Sequence, residues 1–97
     1  MTKDEAEQLS IALMQIVGIL DQSIMFVRDK DDEANGLQYR RAAGKVMAGI
    51  FMNLEEPLWE RFPELRPRRM GGPYRVSPEI YEPLFYERYG DVEENDE

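Results

Sequence analysis

The 97-residue sequence contains no cysteine and no histidine. The first absence excludes a disulfide framework, a thiolate metal site and a thiol nucleophile, and leaves the redox compartment open. The second removes the usual zinc ligand and the commonest general base. Glycine-rich phosphate loops are missing too: Gly71-Gly72 has neither G-x-G-x-x-G nor P-loop surroundings and reads as a turn. Ser10, Ser23 and Ser77 have no histidine to activate them, and Ser77 reads as a helix cap. The longest apolar run, Ile11 to Val27, is seventeen residues interrupted by Gln15, Asp21, Gln22 and Ser23. It falls short of the ~20 predominantly apolar residues of a membrane span, so no membrane segment is expected. The amino-terminal residues set Lys3 against Asp4, Glu5 and Glu7, the wrong charge for a signal peptide, and the expected location is cytoplasmic.

What is present is a chain of carboxylates, arginines and aromatics with helical patterning. The net charge of −8 is uneven: −5 over residues 1–36, 0 over 37–60, +4 over 61–75 and −7 over 76–97. A basic segment therefore sits between two acidic ones. The length suits one domain near the lower size at which a core stabilises a fold alone, which makes self-association a reasonable way to bury more apolar area.

Thr2 and Glu5 have capping-box spacing, so a first helix is expected over about 3–28. Its inward stripe reads as Leu9, Leu13, Ile16, Val17, Leu20, Ile24 and Val27. Ala12, Ile19 and Phe26 lie on one flank of that stripe, and Ile11, Met14 and Met25 on the other. So much apolar arc needs two covering surfaces. The loop Asp29–Gly36 leads to a second helix over about 36–55, capped by Asn35, with Tyr39, Ala43, Val46, Ile50 and Leu54 on one stripe. Gly44 and Gly49 cost this helix about 1 kcal/mol each relative to alanine, so its amphipathic face must carry it. A short loop between two long helices makes an antiparallel hairpin.

From Pro57 onward a proline arrives every four to six residues, which regular helix cannot survive. Short helices are expected near 57–62 and 78–89, within a single helical domain over 1–90, followed by a disordered acidic tail over 91–97. The fold class is thus all-α: a long two-helix hairpin overlaid by a Pro-rich C-terminal segment. The surplus arc is covered either by that segment or by a second subunit. The second is preferred, as a homodimer with a four-helix arrangement whose interface draws on Ala12, Ile19, Phe26, Ile11, Met14 and Met25.

Three chemistries are open. The loop Asp31–Gly36 resembles the start of an EF-hand, but the twelfth position is Ala42 where a bidentate glutamate belongs, so it reads as a solvated loop. Arg61, Arg66, Arg68, Arg69 and Arg75, with Trp59, Phe62 and Tyr74 between them, offer a site for a phosphate, a nucleic-acid backbone or an acidic partner. The acidic flanks oppose a polyanion, so nucleic acid is not expected and internal pairing with Glu55, Glu56, Glu79 and Glu82 is. Those same carboxylates, as the pairs Glu55/Glu56 and Glu79/Glu82, are the available acid-base groups, with Tyr81 and Tyr86 as further acids, and they read as surface charges. No cofactor, no metal and no catalytic activity are expected. The functional expectation is a small acidic protein-interaction module that regulates or neutralises a protein partner, in the manner of antitoxin or immunity proteins by analogy of size and charge. The alternatives are an anion binder working through the arginines and a ligand-binding or enzymatic domain with a pocket under the aromatic C-terminal segment.

Overall fold

Thr2 starts the first helix as its spacing predicts: its hydroxyl accepts from the Glu5 N–H, and the Glu5 carboxylate accepts from the Thr2 N–H. The computed structural model describes residues 1–81. Most of the helix expected over 78–89, and the tail 91–97, lie outside the described residues.

Helix α1 spans Lys3–Lys30 and is 28 residues long, about 42 Å at ~1.5 Å per residue. Acids in its first turn and Arg28 and Lys30 in its last both complement the helix dipole. Helix α2 spans Glu33–Ile50, three residues earlier than expected, because its cap is Asp32 and not Asn35. The Asp32 carboxylate accepts from the Asn35 backbone N–H and from its side-chain amide, both at 2.8 Å, which holds its pKa below the ordinary value. With only Asp31 and Asp32 between them, the helices fold back on each other. Gly36 lies against Arg28, and Tyr39 bonds Ser23, the order an antiparallel hairpin requires.

The second helix does not run on regularly to residue 55. Phe51–Glu55 forms a π-helical turn, closed by the Glu56 N–H on the Phe51 carbonyl, before helix α3 spans Glu56–Arg61. One extra residue per turn rotates everything beyond it by roughly a quarter turn relative to α2. Leu54, assigned to the inward stripe, therefore faces solvent, while Glu55, Leu58 and Trp59 turn inward. Three 3₁₀ turns follow, Pro63–Leu65, Arg68–Met70 and Pro78–Tyr81. Gly71 takes the left-handed conformation, φ 86°, that ends the middle one.

The core is one cluster of Ala6, Leu13, Met14, Leu58, Trp59 and Leu65, with Phe51, Phe62, Tyr74 and Ile80 packed around it. Trp59 is fully buried and donates its indole N–H to Ser10 Oγ at 2.9 Å. Tyr81 rests on α1 at Gly18, where a Cβ would stand 2.9 Å from its ring, so the close approach depends on glycine. The C-terminal segment thus covers one broad side of the hairpin. On the Ile11, Met14 and Met25 flank, Met14 is fully buried, Ile11 packs partly buried against the core, and Met25 is 38% exposed. Met14 is therefore a core residue, and Ile11 is partly buried beside it. The buried arc of α1 is also rotated towards this flank. Ala6, Ser10, Leu13 and Met14 are inside, whereas Leu9 and Ile16 of the expected stripe are exposed.

Candidate interaction face

The other broad side of the hairpin is largely exposed among the described residues, although Ser23 on it is buried and Phe26 half-buried. At about 100° per residue, Leu9, Ala12, Ile16, Ile19, Ser23 and Phe26 share one side of α1, in alternating steps of three and four. Tyr39, Ala42, Val46 and Gly49 follow the same rhythm on α2. In an antiparallel pair these two rows lie on the same side. The Ser23–Tyr39 contact joins them: Ser23 donates to the Leu20 carbonyl at 2.6 Å and accepts from the Tyr39 hydroxyl at 2.8 Å. Leu9, Ile16, Ile19 and Val46 are 40, 46, 41 and 52% exposed, Ala12 and Ala42 are exposed, and Phe26 is half-buried. No Asp, Glu, Lys or Arg occurs in either row, although these make up 33% of the sequence. A contiguous apolar surface of this kind is the usual mark of an association site.

The same span satisfies a second description. By length and composition α1 is apolar enough to cross a membrane, with a mean hydropathy of 1.7 in its best window. The hairpin uses that apolarity on two sides at once, one for α2 and the C-terminal segment, one largely exposed among the described residues.

Three of the five arginines have contacts within the chain. Arg66 pairs with Glu56 at 2.6 Å and lies 5.8 Å from the Trp59 ring centre. Arg69 donates to the Tyr81 hydroxyl at 3.0 Å, and Arg61 stacks 5.4 Å from Phe62. Arg68 and Arg75 are exposed. Arg66 thus has a carboxylate partner of the kind the charge balance favours, Glu56, while Arg69 and Arg61 contact the aromatic side chains of Tyr81 and Phe62.

Of the carboxylates read as pairs, Glu55 and Glu56 have separate surroundings. Glu55 is buried with no hydrogen-bond partner for Oε2, and burial pushes its pKa up against the opposing pull of Arg69. Glu56 is spent on Arg66, Glu79 accepts from Ser77, and Glu82 and Tyr86 lie outside the described residues. Among the described residues Met14, Leu58, Trp59 and Leu65 pack together, with Phe62, Tyr74 and Tyr81 against them. Beside them a cleft of about 410 Å³ is lined by Gly18, Asp21, Met47, Arg69 and Tyr81. At the hairpin's far end a hollow of about 630 Å³ runs between Met25, Arg28, Leu37 and Arg40. Among the described residues no group of His, Cys, Asp or Glu is placed to hold a metal ion.

No known family, curated protein or solved structure matches this chain.

Of the residues read from sequence as interface, Ala12 and Ile19 are exposed on this face, and Phe26 lies half-buried at its end. Leu9, Ile16, Tyr39 and Val46, inward by periodicity alone, are exposed and share this side. The signal that finds them is the alternation of three and four itself, continued through both helices.

Proposed function

We propose that this protein is a non-enzymatic interaction module that works by protein–protein association through the uncharged side of its α1/α2 hairpin. The observation that carries the reading is that side's composition: two helical rows without a formal charge, largely exposed among the described residues, in a protein whose remaining surface is rich in carboxylates. Apolar area supplies the affinity, and the charged loop around Asp29–Glu33 at the rim supplies discrimination. Regulation or neutralisation of a partner is the kind of task such a module performs without chemistry of its own. The anion-binding reading has no comparable support, since Arg66 and Arg69 are engaged within the chain.

A photo-reactive phenylalanine placed at Ile16 and at Val46, with Met70 as a control on another surface, tests this in the cell that makes the protein. Protein adducts from positions 16 and 46 and not from 70 are the expected result. Equal labelling at all three, or none, would overturn the reading.

A further inference from the structure

We infer that the occupant of the uncharged face is a second copy of this chain, the two hairpins meeting face to face as a four-helix arrangement. This rests on the reading of that face as an association surface and names its partner. Four features carry it.

First is the spacing. Alternating steps of three and four residues are the seam of helices that pack by knobs into holes, and a helix pair bearing one such seam on each member is half of a four-helix bundle. Second is the texture. Bulky Leu9, Ile16, Ile19 and Val46 alternate with Ala12 and Ala42, so the surface carries both the knobs and the shallow holes a copy of itself needs. A partner with any other surface would have to supply a matching pattern; a second copy has it already.

Third is the area. The stretch from Leu9 to Phe26 is about 27 Å long, and two adjacent helices are roughly 20 Å wide. That footprint, raised by side-chain relief, approaches the ~800 Å² per partner of a standard stable interface. Fourth is charge. Two copies of a chain of net charge −8 repel unless the surfaces that meet are neutral, and this side of the hairpin is the neutral one. The same net charge disfavours an anionic lipid surface as the occupant.

The test is the mass of the purified full chain by sedimentation equilibrium, for wild type, Ile16→Glu and Val46→Glu. Wild type is expected as a dimer. Each variant places an unpaired carboxylate in the seam and should weaken the dimer by on the order of a hundredfold or more, with helicity and Trp59 fluorescence retained. The two substitutions lie on different helices, so a folding failure in one leaves the other to decide. A wild-type monomer at concentrations up to about 100 µM overturns the inference, as does a dimer indifferent to both variants. Co-flotation of wild type with neutral phosphatidylcholine vesicles, lost in the variants, overturns it in favour of a lipid surface. A monomer that still yields adducts to another protein from Ile16 removes the second copy and leaves the association reading standing. Absence of both sinks the two together.

Discussion

Leu54 is 51% exposed while its neighbour Glu55 is 3% exposed, and the π-helical turn that ends with them is what exchanges the two. An uninterrupted α-helix would place Leu54 inward beside Ile50 and leave Glu55 at the surface. The gain lies one turn on, where the same rotation carries Leu58 and Trp59 into the core. The local cost is a carboxyl in an apolar site with Oε2 unbonded.

Replacing Glu55 should therefore stabilise the fold. Glu55→Leu is expected to gain about 1–3 kcal/mol, the penalty of an unsatisfied buried polar group, in equilibrium urea unfolding. A loss of stability would mean that the carboxyl has a partner that sustains the turn.

The same residue sets a pH dependence. Burial raises the Glu55 pKa, with Arg69 opposing, so the folded state holds the proton more tightly than the unfolded chain, whose value lies near 4.5. A group shifted in this direction contributes stability that is complete below the unfolded value and is lost as pH rises through the folded one. Relative to Glu55→Gln, wild type should lose melting temperature as pH is raised from 4.5 towards neutrality. Parallel curves for the two proteins would contradict the assignment.

Ser10 and Trp59 form the buried polar contact that fixes α1 against α3. Ser10→Ala leaves the indole N–H unpaired and should cost about 1–3 kcal/mol. Trp59 is the sole tryptophan, so its fluorescence reports this unfolding directly. A cost near zero would indicate that water replaces the hydroxyl.

Leu13→Ala should cost about 2–5 kcal/mol as a truncation within the core cluster, measured the same way. A loss below about 1 kcal/mol would place the core elsewhere.

Tyr74 ties the C-terminal loop to α1 by donating to the Glu7 carboxylate at 2.6 Å. That bond, then burial and the Glu7 charge, push its phenol from 10.0 up to about 12. Its contribution is present below pH 10 and should disappear between 10 and 12. Phenolate absorbance should show one tyrosine titrating late in wild type, and Tyr74→Phe should remove it.

The hairpin, its caps and the early end of regular helix were legible because each is local: Thr2 with Glu5, the acidic loop, the prolines. The rotation of α1 was not. Periodicity locates an apolar arc but not which part of it the C-terminal segment claims, and here Trp59 and Leu65 draw Met14 and Ser10 inward at the expense of Leu9 and Ile16. Ser10 in particular looks like a surface residue until its indole partner, 49 positions away, is known. The π turn was equally hidden, because its cause is the tertiary burial of Leu58 and Trp59 and no residue within 51–55 announces it. For the exposed face the lesson runs the other way. The three-and-four spacing of Leu9, Ile16, Tyr39 and Val46 is plain in both helices, but spacing alone does not say whether such a row faces the core or solvent.

The pairing of two uncharged hairpin faces is tested most directly by isotope-filtered nuclear Overhauser spectroscopy on a mixture of labelled and unlabelled chains. Intermolecular contacts from the methyl groups of Ile16, Ile19 and Val46, and none from Leu13 or Leu65, are the predicted result. Contacts confined to Met25 and Leu37, or none at all at a concentration where the mass is dimeric, would contradict it.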